Sequence, residues 1–197
     1  MNIRIAALSA LCAATLCGPA SAFDMGKMNR ILETGQSGAW DQRDEGETYV
    51  LDNDSDPTSI RYYFIKPNAG HEGTRSVSVE LDFRDEAAST RGGLIFGFDE
   101  TDKSYYLFVL GPTGELTLFQ RKPDGGKILF KGTAKGVTDG FNTFTLVEAD
   151  GGVRLEVNGQ SAIFTDSEAM RTGALGIVAW GEGEFAFRKF RLSMAAN

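Results

Sequence analysis

From residue 59 onward, the chain consists of short runs in which β-branched and aromatic residues alternate with polar ones. Alternation with a period of two predicts strands, because successive side chains of a strand point to opposite faces of a sheet. This region shows no long helical period, so the pattern predicts an all-β domain. The predicted strands span residues 59–66, 75–84, 92–99, 103–110, 115–121, 127–131, 141–148, 152–157, 160–164, 173–180 and 184–194.

Turn residues separate these runs at the places where hairpins are expected. The segments GPTG at 111–114, PDGG at 123–126 and NG at 158–159 supply residues that accept a positive φ, which tight hairpin turns require. Consecutive strands are therefore predicted to pair as antiparallel neighbours. The expected fold is a two-sheet antiparallel β-sandwich.

The segment SYYLFVL at 104–110 is apolar on both faces of its predicted strand. One face must join the core between the sheets, while the other is either covered by loops or exposed as a platform. We expect a ligand site on that second face. The pattern leaves open which of the two adjacent tyrosines, Tyr105 or Tyr106, faces outward.

The first 22 residues have the pattern of a secretory signal peptide. Arg4 is followed by a mostly apolar run at 5–16 and by the small residues 20–22, so cleavage is predicted after Ala22. The apolar run is too short to cross a bilayer, which requires about 20 residues. The sequence therefore predicts a periplasmic or secreted protein with no membrane insertion.

These patterns divide the chain into three predicted parts, of which the middle one follows the signal peptide. In the middle part, Asp24 is suited to begin a short helix that Gly35 would end, with Met25, Met28, Ile31 and Leu32 along one side. The three parts are a signal peptide at 1–22, an N-terminal segment with this helix at 23–48, and a β-sandwich domain at 49–197.

Charge and composition exclude several classes of function. The chain carries a net charge of −7, and a surface this acidic disfavours nucleic acid as a partner. Both cysteines, Cys12 and Cys17, lie in the predicted signal peptide, so the mature chain would have no thiol. With His71 as its single histidine, the sequence has no residues for a multi-histidine metal site, and no serine lies in a G-x-S-x-G nucleophile motif.

Five segments in sequence order resemble the concanavalin A-like lectin and glucanase superfamily, in its laminin G-like and bacterial sugar-hydrolase-like branches. They are SVELDFR, RGGLIFGFDETDKSYYLFVLG, LTLFQR, DGFNTFTLVEADGGVRLEVNGQSAIF and GALGIVAWGEGEFAFRKFRLS. The resemblance covers roughly four-fifths of the mature chain. It implies a concanavalin A-like jelly roll.

The same resemblance raises the alternative of a glycoside hydrolase or related sugar-processing enzyme. Family 16 hydrolases carry the strand motif Glu-x-Asp-x-Glu, or a bulged Glu-x-Asp-x-x-Glu, and Glu80, Asp82 and Asp85 match the bulged form except that Asp85 replaces the final Glu. The resemblance implies a nucleophile, an assisting carboxylate and an acid, in that order. Without a bulge, strand alternation places Asp85 on the face opposite Glu80. We therefore favour a scaffold interpretation with no catalytic residue, in which Arg84 neutralises a carboxylate.

The leading hypothesis is an exported, non-catalytic, lectin-like sandwich that binds an oligo- or polysaccharide. Sugar recognition needs an aromatic ring against the apolar face of a pyranose and planar polar groups for its hydroxyls. The alternative outside carbohydrate chemistry is an envelope module with a protein partner. The candidate ligand-binding residues are Glu80, Asp82, Arg84, Arg91, Tyr105, Tyr106 and Trp180.

Calcium is the one cofactor for which the sequence offers a candidate site. Asp52, Asp54 and Asp56 alternate in the segment DNDSD, and closely spaced oxygen ligands suit Ca²⁺. Laminin G-like domains often carry one calcium at the rim of the sandwich. The segment is not an EF-hand loop, because Pro57 stands where the turn glycine belongs.

Overall fold

A computed structural model describes residues 3–4, 21–22, 29–32, 40–65, 73–149, 152–165 and 173–196. These residues form sixteen strands and no helix. The strands are β1 Ile3–Arg4, β2 Ser21–Ala22, β3 Asn29–Leu32, β4 Asp41–Glu45, β5 Thr48–Asn53, β6 Ile60–Ile65, β7 Gly73–Glu86, β8 Arg91–Phe98, β9 Tyr105–Leu110, β10 Glu115–Lys122, β11 Gly125–Thr133, β12 Asn142–Ala149, β13 Gly152–Val157, β14 Gln160–Thr165, β15 Ala174–Trp180 and β16 Gly183–Ala196.

Two antiparallel sheets contain all of these strands. The nine-stranded sheet has the order β1-β14-β13-β12-β7-β16-β5-β4, and β2 also pairs with β16. The seven-stranded sheet has the order β11-β10-β9-β8-β15-β6-β3. The predicted two-sheet β-sandwich is therefore confirmed. Each of the eleven predicted strands is present, as β6 to β16, with its ends within two residues of the predicted ones.

The main core lies between the sheets and follows from the alternation. On β7 the side chains of Val77, Val79 and Leu81 are buried, while the residues between them face outward. Phe144 of the nine-stranded sheet meets Phe108 of the seven-stranded sheet edge to face, with ring centroids 6.1 Å apart. Burying one such side chain stabilises the fold by about 1.5–3 kcal/mol.

A second apolar layer covers the outer face of the seven-stranded sheet. β9 is buried on both faces: Tyr106 and Phe108 belong to the core between the sheets, and Tyr105 belongs to the outer layer. The outer layer also explains why this strand is almost continuously apolar. Its buried members are Tyr62, Phe64, Ile95, Phe98, Tyr105, Leu107, Val109, Ala174 and Val178.

The N-terminal part of the chain differs from the prediction. The predicted helix is wrong over Asn29–Leu32, which form β3 and pair with β6, Ile31 lying opposite Tyr62. A short isolated helix is marginal in water, whereas pairing at a sheet edge satisfies the backbone donors and acceptors at once. The rest of the predicted helix lies outside the described residues.

Two other features bear on the predicted division of the chain. β3 and β4 precede residue 49, so the sheets include strands from the segment 23–48. β1 and β2 lie inside the predicted signal peptide, and cleavage after Ala22 would remove both. Among the described residues, no helix is long and apolar enough to cross a membrane.

Candidate functional site

A groove of about 330 Å³ opens on the outer face of the seven-stranded sheet, next to the outer apolar layer. Its apolar lining consists of Pro57, Val109, Phe119, Ile128 and Trp180. Its polar lining consists of Ser89, Arg91, Glu115, Thr117 and Lys131. These ten residues define the groove.

Strand register explains why these side chains meet. Arg91 on β8 lies directly opposite Trp180 on β15. On the other side of the groove, Thr117 pairs with Lys131. A bulge in β11 then shifts the register. Phe119 is the next residue of β10 that faces outward. The shift places Ile128 of β11 opposite it.

The aromatic part of the groove is formed by two rings that touch. The centroids of Phe119 and Trp180 lie 5.9 Å apart with a 59° angle between the rings. The Phe119 ring packs over Gly126, where an added Cβ would lie 2.2 Å from the ring in its present position. Beside these rings, Ile128 is 56% exposed and is the one large apolar side chain exposed among the described residues. The groove thus offers an apolar surface to a ligand.

The polar part is an ion pair flanked by a second cation. The Arg91 Nη2 donates to Glu115 Oε2 at 2.8 Å, and its Nη1 donates to the carbonyls of Ala88 and Thr90. The other oxygen, Glu115 Oε1, lies 3.8 Å from the Lys131 Nζ. Because these contacts fix the guanidinium and carboxylate planes, the pair is suited to hydrogen-bond neighbouring hydroxyls of a sugar ring.

Of the predicted ligand-binding residues, only Arg91 and Trp180 lie in the groove. Sequence reasoning missed Glu115, Phe119 and Lys131. The alternation of β10 does place Glu115 and Phe119 on one face, so a signal for them existed. Nothing in the sequence showed which other strands share that face.

Glu80 and Asp82 lie on the nine-stranded sheet, away from the groove. The Glu80 carboxylate accepts a hydrogen bond from Arg188 Nε at 2.6 Å and one from Lys189 Nζ at 3.0 Å. Partial burial raises the pKa of Glu80, but the hydrogen bonds from Lys189 and Arg188 outweigh it and hold the pKa below its usual value. The Arg188 guanidinium in turn lies 3.6 Å from the centre of the Phe141 ring. Glu80 is thus held as a paired carboxylate.

Arg84 belongs to an ion network on the same outer face. Its Nη1 lies 2.6 Å from Glu45 Oε2 and 3.3 Å from Glu184 Oε1. Arg43 contacts the second oxygen of Glu184 at 2.7 Å. Arg84 therefore neutralises carboxylates of two other strands of this sheet, β4 and β16. The network ties these strands to β7.

The bulge that the family 16 motif requires is present in β7. Phe83 lies opposite Phe185 and Asp85 lies opposite Glu184, so Arg84 is the extra residue. Asp85 is exposed, and its carboxylate accepts the backbone N–H of Glu86 at 2.8 Å. The bulge thus returns Asp85 to the outer face that carries Glu80, but the two carboxylates of the catalytic hypothesis have separate partners there.

Neither predicted tyrosine presents a ring to solvent. Tyr106 faces the core between the sheets, is 6% exposed and accepts a hydrogen bond from Gln120. Tyr105 faces outward, but it is 2% exposed within the outer apolar layer, where its ring centroid lies 5.9 Å from that of Tyr62. The two predicted rings are therefore buried, and the aromatic rings that line the groove are those of Trp180 and Phe119.

The predicted calcium site is not formed. The Asp52 carboxylate lies 3.5 Å from Arg43 Nη1. The Asp56 carboxylate accepts two hydrogen bonds from Thr58, and these lower its pKa. The three aspartates are thus engaged separately or, like Asp54, exposed. Within the described ranges, no group of three or more His, Asp or Glu side chains is placed to hold a metal ion.

The fold is similar to that of several solved β-sandwich structures. The carbohydrate binding module CBM66 from Bacillus subtilis matches with a TM-score of 0.59 and 12% identity, covering 85% of this chain and 97% of that one. A Bacillus subtilis protein with a galectin-like fold matches with a TM-score of 0.58 and 12% identity, covering 81% and 89%. The Emp46p carbohydrate recognition domain, in its metal-free form, matches with a TM-score of 0.56 and 15% identity, covering 79% and 86%.

These matches confirm, at the level of fold, the resemblance that the sequence predicted. At such low identity they say nothing about individual residues. No family model and no curated protein sequence matches the chain.

Proposed function

We propose that this protein is an exported, non-catalytic glycan-binding sandwich and that the groove is its binding site. The observation that carries the proposal is the pairing of Trp180 with Arg91, which places an aromatic ring beside a fixed ion pair. An aromatic ring covers the apolar face of a pyranose. The guanidinium donates to the sugar hydroxyls, and the Glu115 carboxylate accepts from them.

Two further points support a saccharide ligand. The groove combines an apolar wall of Phe119, Ile128 and Trp180 with a small number of polar groups, the usual composition of small-ligand sites. Its volume of about 330 Å³ lies at the lower end of the range of such sites, about 300–1,000 Å³, which suits one or two sugar rings. In addition, two of the structural neighbours are described as carbohydrate-binding.

The non-catalytic part of the proposal rests on the second sheet. The Glu80 carboxylate is paired with Arg188 and Lys189, and Asp85 is turned to the backbone of Glu86. Glycoside hydrolysis needs two carboxyl groups that flank one glycosidic bond. We propose that this face is structural.

A thermal-shift screen of the purified protein against neutral oligosaccharides tests the proposal. A ligand that binds only the folded state, present at 100 times its Kd, raises Tm by about 5–10 °C for a domain of this size. Trp180→Ala should abolish the shift. Arg84→Gln, on the other sheet, should keep it.

If Trp180→Ala responds to the sugar as the wild type does, the groove is not the site. Export is tested separately by the intact mass of the protein recovered outside the cytoplasm. That mass should correspond to a chain beginning at Phe23.

A further inference from the structure

The β10–β11 hairpin is the basic part of an acidic chain. Residues 115–133 contain four cations and two carboxylates, whereas the whole chain has a net charge of −7. The hairpin therefore carries +2 and the rest of the chain −9. β11 is the edge strand of the seven-stranded sheet, and of the charged residues of this hairpin Glu115 and Lys131 line the groove. The charged residues are Arg121, Lys122, Lys127 and Lys131 against Glu115 and Asp124.

The groove itself has an excess of positive charge. Arg91 and Lys131 flank the single carboxylate of Glu115. Glu115 is committed to Arg91 at 2.8 Å, whereas its 3.8 Å separation from Lys131 exceeds hydrogen-bond distance. The Lys131 side chain is 63% exposed. The ammonium therefore has donors directed to solvent at the wall opposite Trp180.

We infer that the groove binds an acidic saccharide, a uronate, whose carboxylate pairs with Lys131 while its ring packs on Trp180. The inference rests on the proposed function and adds the charge class of the ligand. Arg91, Lys131 and Glu115 together leave one positive charge in excess, and the single negative charge of a uronate neutralises it. A phosphate group fits less well, because its second negative charge would be repelled by Glu115.

Lysines on an exposed edge strand also prevent unwanted strand pairing, and this role would apply equally to Lys127 and Lys131. The two residues nevertheless lie on different faces. Lys131 pairs with groove-facing Thr117, whereas Lys127 pairs with Gln120. The Gln120 amide reaches the core-facing Tyr106. Lys127 is thus a matched control with the same charge on the same strand.

The test is calorimetric titration with tetrasaccharides of galacturonate, glucuronate and mannuronate, each compared with its carboxyl-reduced, neutral counterpart. For at least one sugar, the wild type should bind the acid about tenfold more tightly than the neutral form, the size expected for one charge-assisted hydrogen bond. Lys131→Gln should remove this preference. Lys127→Gln should retain it.

The salt dependence of binding is a second measurement. It would not be affected if Lys131 had only a structural role. Raising NaCl from about 50 to about 500 mM shortens the screening length severalfold, so the preference for the acid should shrink while binding of the neutral form stays constant. Equal affinity for the acid and its reduced counterpart would overturn the inference and leave glycan binding intact. Binding of neutral sugars alone would overturn it in the same way. If neither form binds, the inference is refuted for uronates, and the screen with neutral oligosaccharides decides the proposed function independently.

Discussion

Trp180 and Arg91 lie directly opposite each other on adjacent strands, β15 and β8, although nearly half the chain separates them in sequence. The pairing puts an indole and a guanidinium on one side of the groove. The guanidinium is held by Glu115 and by two backbone carbonyls. Such a fixed donor costs little ordering when a ligand binds, which favours affinity.

Arg91→Gln should weaken glycan binding by about tenfold or more, because it removes the charged donor and releases Glu115. Arg84→Gln is the matched control, since it removes the same charge from an ion pair on the other sheet. Calorimetric titration of both variants with one sugar checks the prediction. An equal loss of affinity in the two variants would show that the net charge of the protein, and not Arg91 itself, affects binding.

Gly126→Ala should alter binding with little loss of stability. The added Cβ would lie 2.2 Å from the far end of the Phe119 ring, so the ring must turn away from its contact with Trp180. Gly140→Ala is the control, because nothing lies within 4 Å of a Cβ at that position. Titration together with thermal unfolding of both variants separates the two effects. An unchanged Kd in Gly126→Ala would show that the position of Phe119 does not matter for binding.

Glu148→Gln should destabilise the fold by about 3–5 kcal/mol, because it removes the carboxylate that neutralises the buried charge of Arg75. Both side chains are almost fully buried, and the Arg75 Nε donates to both oxygens of Glu148, at 2.8 and 2.9 Å. Arg75 also donates to the Gly173 carbonyl, next to the first strand residue of β15, and so links the two sheets. Denaturant unfolding measures the loss.

Glu156→Gln is the comparison for this variant, because its partner Arg154 is 47% exposed. A surface pair of this kind contributes about 0–1 kcal/mol. A loss in Glu148→Gln no greater than in Glu156→Gln would show that the buried pair is not important for stability.

Glu80 should make stability depend on pH. The pKa of Glu80 is lowered in the folded state from a usual value of about 4.5, so its stabilising effect is present above that value and is lost as the pH falls through the lowered pKa. The Tm difference between wild type and Glu80→Gln should therefore be largest near pH 7 and shrink below about pH 4.5. A constant difference across this range would contradict the ion pairs with Arg188 and Lys189.

The same variant separates the binding protein from the enzyme. Glu80→Gln should leave the Kd for sugar unchanged, because Glu80 lies on the nine-stranded sheet and the groove lies on the other. A hydrolase that uses Glu80 would instead lose turnover while staying folded. Measuring reducing-sugar release by wild type and variant on a polysaccharide panel decides between them.

Most of the local structure of this protein follows from short-range patterns in its sequence. Period-two alternation and turn residues located all the strands from β6 to β16, because both signals act between residues that are close in the chain. The same alternation correctly placed Val77, Val79 and Leu81 in the core. The helix predicted from Asp24, Gly35 and the spacing of the apolar residues was wrong over Asn29–Leu32, where pairing with β6 overrides the local preference.

Which outward-facing residues share a surface depends instead on how the strands are arranged in the two sheets. The sequence grouped Glu80, Arg84, Arg91 and Trp180 as one candidate site, but the sheets divide them between two faces on opposite sides of the core. Sheet order and register join strands that are far apart in sequence, and no short-range pattern encodes them. For the same reason Tyr105 faces outward yet is buried, while Glu115 and Lys131 reach the groove beside Arg91.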